Sequence, residues 1–333
     1  MNKRAFKADI LLLLTAAIWG FGFVAQRSGM EYVGPLAFNG VRFILGSLSL
    51  LPLILLRRKM SPGAKKLSPV IFLQKCMVTG TCLFIAVLLQ QLGIMFTTAG
   101  NAGFITGLYV VLTPIFGIFL GRKTGPATWL GSIFTVIGLY FLCAVGSHTQ
   151  GSLHSINPGD IIIMISALFW ACHVLLIDRM VRDIDPLVLS SGQFAVCGIF
   201  ALAGAFLAEP YIIPFVERLN PALLENGTFA WLAFPDLLAG ISSHTVTFPV
   251  EALTPILYGG LGSVGIAYTL QAVAQRDAPP AHATIILCFE GCFAALGGAL
   301  LLSEKIGSWT LLGFILMLMG MLVTQWEVIA LKR

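Results

Sequence analysis

The sequence predicts an all-α integral membrane protein of ten transmembrane helices, arranged as two five-helix repeats of inverted topology. Three observations predict it: a composition that no aqueous core absorbs, charges confined to short breaks between apolar runs, and a match between the two halves. Of the 333 residues, 57% are hydrophobic and 11% charged, and the mean hydropathy is +0.91. Soluble domains carry roughly one-quarter charged residues. Lipid is therefore the solvent in which this chain is read.

Uncharged runs of roughly 17–25 residues cross a bilayer core as helices. In the first half they fall at 10–26, 34–56, 70–96, 102–120 and 127–145. In the second half they fall at 160–177, 187–208, 252–274, 281–302 and 309–329. Lys3, Arg4 and Lys7 ahead of the apolar stretch from Ile10 imitate a secretory signal, but further spans make this segment a signal anchor. Residues 229–241 are apolar but interrupted by Pro235 and Asp236. That piece is too short to span and reads as an interfacial helix in an external loop. The expected division is a first repeat at 1–146, an external linker at 147–159, and a second repeat at 160–333 with a loop insertion at 209–250.

Basic residues orient the spans. With the N-terminus in the cytoplasm, 16 of the 20 lysines and arginines face the cytoplasm. Arg27, Arg218 and Lys305 fall outside and Arg42 lies within a span. This is the bias the positive-inside rule requires, and it places both termini in the cytoplasm of a multi-pass protein of the cytoplasmic (inner) membrane. The formal charge of +5 has no basic stripe interleaved with aromatics, so no nucleic-acid partner is expected.

Sliding the sequence by 151 residues superposes Trp19 on Trp170, Pro35 on Pro186, Leu36 on Leu187 and Phe43 on Phe194. Five spans separate the copies. An odd number starts one copy inside and the other outside, which makes the repeat inverted. Later helices align at a different offset, 182, which sets Gly131 on Gly313.

Several chemistries are excluded. The seven cysteines lie in or beside apolar runs, form no CxxC pair and have no histidines at metal-ligand spacing, so neither a disulfide framework nor a metal site is expected. No phosphate-binding loop, HExxH helix or paired carboxylates are present. No cofactor and no catalytic residue is assigned.

Ionisable side chains within a span cost roughly 2.5–3.5 kcal/mol on insertion scales and so face protein or a watery cavity. Glu290, near mid-span, is a candidate for binding a cationic group or carrying a coupling proton. Arg42 can neutralise a substrate carboxylate or pair with Glu290. Ser166, Trp170 and His173 share a helix face, as do Thr106, Tyr109 and Thr113. The second face adjoins Pro114, a candidate kink or gate. Tyr268 and Gln271 recur at i, i+3, and Gln90 and Gln91 supply amides. With Trp19, the residues Gln90, Gln91, Thr106, Tyr109, Trp170, His173, Tyr268 and Gln271 outline one polar, aromatic substrate cavity. For the glutamines and His173, helix-to-helix hydrogen bonding is the competing role.

The stretch "IAYTLQAVAQRDAPPAHATIILCFEGCFAALGGALLLSEK", with Ala267, Tyr268, Gln271, the break at 278–280, Glu290, Glu304 and then Gly313, resembles EamA-type members of the drug/metabolite transporter superfamily. Pro35, Arg42 and Phe43, with "FITGLYVVLTPIFGIFLGRK", carry the resemblance in the first half. It covers residues from about Ile10 to Ile329, the external loop excepted. The resemblance implies two five-helix inverted repeats, with the first four helices of each around a central cavity and the fifth peripheral. It also implies transport of amino acids, other metabolites or toxic compounds, commonly outward. Gly291 stands where the family often has proline, and Arg122 where its first half has an acidic residue. The expectation is a secondary transporter of a small organic solute in the lipid bilayer, with a homodimer left open. A non-transporting receptor or assembly subunit, and an intramembrane enzyme, are the alternatives.

Overall fold

Six helices open on proline, whose missing N–H is one of the donors that a helix N-terminus leaves unpaired in any case. Where a helix leaves the lipid this removes a donor that nothing would satisfy. The computed structural model describes residues 3–60, 68–121, 125–141, 157–207 and 250–330. Among these there are helices and no strand. The first half contains α1 (Lys3–Gly29), α2 (Pro35–Met60), α3 (Pro69–Ile94), α4 (Ala99–Thr106), α5 (Tyr109–Phe119) and α6 (Pro126–Tyr140). The second contains α7 (Pro158–Met180), α8 (Pro186–Leu207), α9 (Val250–Leu257), a π-helical segment (Tyr258–Tyr268), α10 (Thr269–Ala274), α11 (Pro280–Leu287), α12 (Phe289–Leu301) and α13 (Ser308–Ala330).

Among the described residues seven helical runs are long and apolar enough to cross a membrane, and shorter apolar stretches lie at Trp129–Gly138, Phe289–Leu301 and Leu311–Gly320. The chain is a multi-pass membrane protein. Among the described residues each predicted span falls largely on helix, but three are not simple α-helices. The fourth breaks at Gly107 and Leu108 into α4 and α5, the ninth breaks at Cys288 into α11 and α12, and the eighth winds through the π segment. Pro114 sits within α5. The interruption expected at this proline falls earlier, because Val110 and Val111 bond three residues back to Gly107 and Leu108 and tighten the turn there. Residues 147–156 of the expected linker (147–159), residues 209–249 of the expected insertion (209–250), and Arg122 and Lys123 lie outside the described residues.

Close glycine contacts bring the helices together. A Cβ on Gly46 would strike Val264, and one on Gly260 would lie 2.6 Å from Leu45. α2 thus packs directly onto the π segment. α6 packs on α13: a Cβ on Gly138 would lie 2.7 Å from the Gly313 carbonyl oxygen, and one on Gly320 would strike the Gly131 carbonyl. Small residues let helices approach where lipid offers no hydrophobic drive to association.

Polar contacts sort the connections onto two ends. At one end Arg27 donates to the carbonyls of Ile94 and Met95 at 3.1 and 3.0 Å, and Asn157 donates to the Phe96 carbonyl. Glu304 there meets the start of α4. At the other end Arg57 pairs with Asp185 at 3.2 Å, Lys75 with Asp183 at 2.6 Å, and Arg276 donates to the carbonyls of Val181 and Ile184. Lys75 holds the exposed Asp183 carboxyl below its ordinary range. That pair survives mild acidification and is lost once pH falls through the lowered value.

A test of the glycine packing contrasts two neighbours on α1. A Cβ on Gly20 would overlap Phe293 and approach the Glu290 carbonyl oxygen at 2.7 Å, whereas one on Gly22 meets nothing closer than Ser263 Oγ at 3.5 Å. Gly20→Ala is expected to lose about 1–3 kcal/mol, and Gly22→Ala to stay within about 0.5 kcal/mol of the parent. Thermal unfolding in detergent distinguishes the two.

Candidate functional site

Residues of one face of α1, Trp19, Phe23 and Gln26, recur at i, i+4 and i+7 and point to the centre of the bundle. They line a cavity with Arg42 (α2), Gln90 (α3), Thr106 (α4), Tyr109 (α5), Trp170 and Val174 (α7), Ser263 and Tyr268 (π segment), Gln271 (α10), Leu287 (α11) and Glu290 (α12). The cavity is narrow, with a volume of about 30 Å³. Both broken helices border it. Thr106 and Tyr109 flank the break between α4 and α5, while Leu287 and Glu290 flank the break between α11 and α12. The two breaks touch, the Cys288 thiol donating to the Gly107 carbonyl at 3.2 Å.

The aromatic part is a cluster about Tyr268. Its ring lies 4.6 Å from Trp19, 6.0 Å from Trp170 and 5.6 Å from Phe194, and Trp19 and Trp170 are 6.4 Å apart. Trp19 Nε1 donates to the Ser263 carbonyl at 3.2 Å, and Trp170 Nε1 to Gln90 Oε1 at 2.7 Å. Both indoles are thereby fixed in orientation.

The charged part is a cation and an acid that do not meet. Arg42, 3% exposed, donates to Asn39 Oδ1 at 2.9 Å and to Gln26 Oε1 at 3.3 Å, and its guanidinium carbon lies 5.3 and 5.1 Å from the centres of Phe38 and Phe43. Neutral amides and aromatic faces hold it in place and leave its charge uncompensated. No ion pair joins Arg42 to Glu290, so the pairing expected as one alternative is not made. Glu290 is also 3% exposed, and its Oε1 has no hydrogen-bond partner among the described residues. The Tyr109 hydroxyl lies beside this carboxyl and interacts with it.

Of the residues expected in the cavity, Trp19, Gln90, Thr106, Tyr109, Trp170, Tyr268 and Gln271 line it, as do Arg42 and Glu290. Gln91 and His173 stand behind the wall. Gln91 donates to the Gln26 carbonyl at 3.4 Å, and His173 Nε2 lies 3.0 Å from Gln193 Oε1 with its ring edge-on to Trp170 and Tyr268. Each ties one helix to another. Pro114 is buried in α5 and does not line the cavity. Sequence reasoning missed Phe23, Gln26, Val174, Ser263 and Leu287; only the i+4 and i+7 spacing of Phe23 and Gln26 from Trp19 was there to be read.

Aromatic walls, a cation with no carboxylate partner among the described residues, and a buried carboxyl thus border one cavity. Removing the guanidinium tests how the site is held. Arg42→Met leaves Asn39 Oδ1 and Gln26 Oε1 buried without this donor and is expected to cost about 1–3 kcal/mol for each stranded group. A melting temperature equal to the parent's would show that these bonds do not hold the cation.

The sequence profile of the EamA-like transporter family matches residues 6–144 and 157–326. A protein of Archaeoglobus fulgidus named an uncharacterized transporter is 28% identical over 278 residues, covering 78% of this chain and 83% of its own. A second from that organism, similarly named, is 23% identical over 318 residues, covering 96% and 97%. Human solute carrier family 35 member F6 is 27% identical over 232 residues, 61% of this chain and 60% of its own. A protein of known crystal structure superposes with a TM-score of 0.65 at 17% identity, over 97% of this chain and 98% of its own, which speaks to the fold alone.

Proposed function

The chain belongs to the EamA-like transporter family, and from that premise we propose that it is a secondary transporter working by alternating access. It moves a small organic solute, amino-acid-like or drug-like, outward across the cytoplasmic membrane. The observation that carries this reading is the cavity where two broken helices meet. Interrupted helices at corresponding places in two halves mark solute sites in such carriers, and here the breaks bring Tyr109 and Glu290 to one chamber. A receptor or assembly subunit has no need of such a chamber.

The repeat, with a first unit at 1–146 and a second at 160–333, is supported by contacts between equivalent residues. Trp19 and Trp170 match at an offset of 151 and lie against each other, as do Phe43 and Phe194 with ring centres 6.0 Å apart. A residue touching its own equivalent sits on the axis that relates the copies. α2 and α8 run antiparallel there, since Gly40 faces Leu202, Ile44 faces Gly198 and Ser47 bonds to Ser191. An axis crossing antiparallel helices lies in the membrane plane. At an offset of 182 the contact of Gly138 with Gly313 maps onto that of Gly320 with Gly131.

Function follows from the charges. Arg42 attracts a carboxylate, the aromatic cluster takes an apolar body, and Glu290 accepts an ammonium group or carries a proton whose release is linked to binding. No phosphate-binding loop is present, so the driving force is an ion gradient or that of the solute itself.

Ligand-induced thermal shift across a metabolite panel, followed by counterflow in proteoliposomes, identifies the solute. Glu290→Gln is expected to fold in parental amounts and to slow transport roughly tenfold or more, the loss that follows removal of a charge-assisted contact of about 1.5–3 kcal/mol. Parental transport by this variant across pH would remove Glu290 from the mechanism.

A further inference from the structure

We infer that Glu304 is a latch between the two halves, holding the external end closed and biasing the protein to open first toward the cytoplasm. The inference rests on the transporter reading and on the orientation given by the basic residues. Glu304 Oε1 accepts the Ala99 N–H at 2.8 Å and Oε2 the Gly100 N–H at 3.2 Å. Thr98 caps the next amide, that of Asn101, at 3.0 Å. A carboxylate from the second half thus takes two donors that the first turn of α4 cannot satisfy itself, at the end where the helix dipole favours a negative charge.

The seat is built for this carboxylate. Gly298 leaves room for it, since a Cβ there would fall on Glu304 Oε2 and lie 2.8 Å from its carboxyl carbon. The Glu304 N–H donates to the Gly298 carbonyl at 3.0 Å. Ser303 turns the chain into position with φ of 56°, the one positive φ outside glycine among the described residues. A left-handed serine costs energy that its surroundings must offset. Here the offset is the contact between the halves.

Among the described residues the opposite end shows no counterpart. An offset of 182 sets Glu304 on Arg122, a cation that cannot accept from a helix N-terminus. The equivalent helix, α11, starts on Pro279 and Pro280 with no side-chain cap. The ties between halves there are Arg57 with Asp185 and Lys75 with Asp183, in which the side chains of Arg57 and Asp183 are 53% and 61% exposed. Water screens such pairs. Between the cavity and that end stand buried Thr113 Oγ1, His173 Nδ1, Ser190 Oγ and Gln275 Oε1, with no hydrogen-bond partner among the described residues. Unpaired polar atoms favour whichever opening admits water to them.

Amide hydrogen exchange on the full-length protein in lipid nanodiscs reads the latch without needing a substrate. Its outcome is therefore independent of whether counterflow finds transport. Glu304→Gln removes the charge, and Gly298→Ala displaces the carboxylate while leaving the charge intact. Both are expected to speed exchange in the peptide covering 98–106 at least threefold and to leave that covering 181–187 unchanged or slower, because opening one end closes the other. Ser303→Gly, which relieves the φ cost and keeps the carboxylate seated, is expected to leave both peptides within threefold of the parent. If Glu304→Gln does not fold, Gly298→Ala alone decides. A change below threefold at 98–106, or equal acceleration at both ends, overturns the latch.

Discussion

A helix interrupted in the middle of a bilayer is tolerable only where protein or trapped water takes over the hydrogen bonds that the break releases. Among the described residues two helices are interrupted, at Gly107 and Leu108 and at Cys288. Each break lies against the other, with the Gly107 carbonyl accepting from Cys288. The rest of the centre follows from that demand. α1 and α7 pack against both broken helices, and the cavity that these elements share with α2 and the π segment is lined by Trp19, Arg42, Trp170 and Tyr268.

Polar groups away from the cavity tie the helices together. Gln91 and His173 link α3 to α1 and α7 to α8, and Arg27 and Arg276 each hold two carbonyls of a neighbouring connection. Arg42 does this and also lines the cavity. Its nitrogens hold Asn39 and Gln26, while its charge, without a carboxylate partner, is available to whatever enters the cavity. A buried cation that is hydrogen-bonded yet not neutralised suits a site that must bind an anion and release it.

The helices were legible because bilayer thickness fixes their length, and among the described residues the predicted spans fall largely on helix. Trp19 and Trp170 were legible from the repeat, and Glu290 from the cost of a charge in lipid. The breaks were not. Residues 281–302 read as one apolar run, and nothing at Cys288 forbids a helix, so tertiary packing decides where it parts. The π segment was hidden for the same reason; its widened turn, rich in glycine, exposes the Ser263 carbonyl that Trp19 uses. Gln90 and Gln91 differ by one step of about 100° around α3, and no pattern in the sequence says which of two adjacent amides faces the cavity.

The account stands on two related halves that cross the membrane in opposite senses around a shared chamber. Its most direct test is the sidedness of two exposed connections, one after the helix of Trp19 and one after the helix of Trp170. Glu31→Cys and Arg182→Cys, each in intact cells treated with a membrane-impermeant maleimide, report it. The account predicts that the cysteine at 31 reacts from outside and that at 182 only after the membrane is permeabilised. Reaction of both from the same side would contradict it.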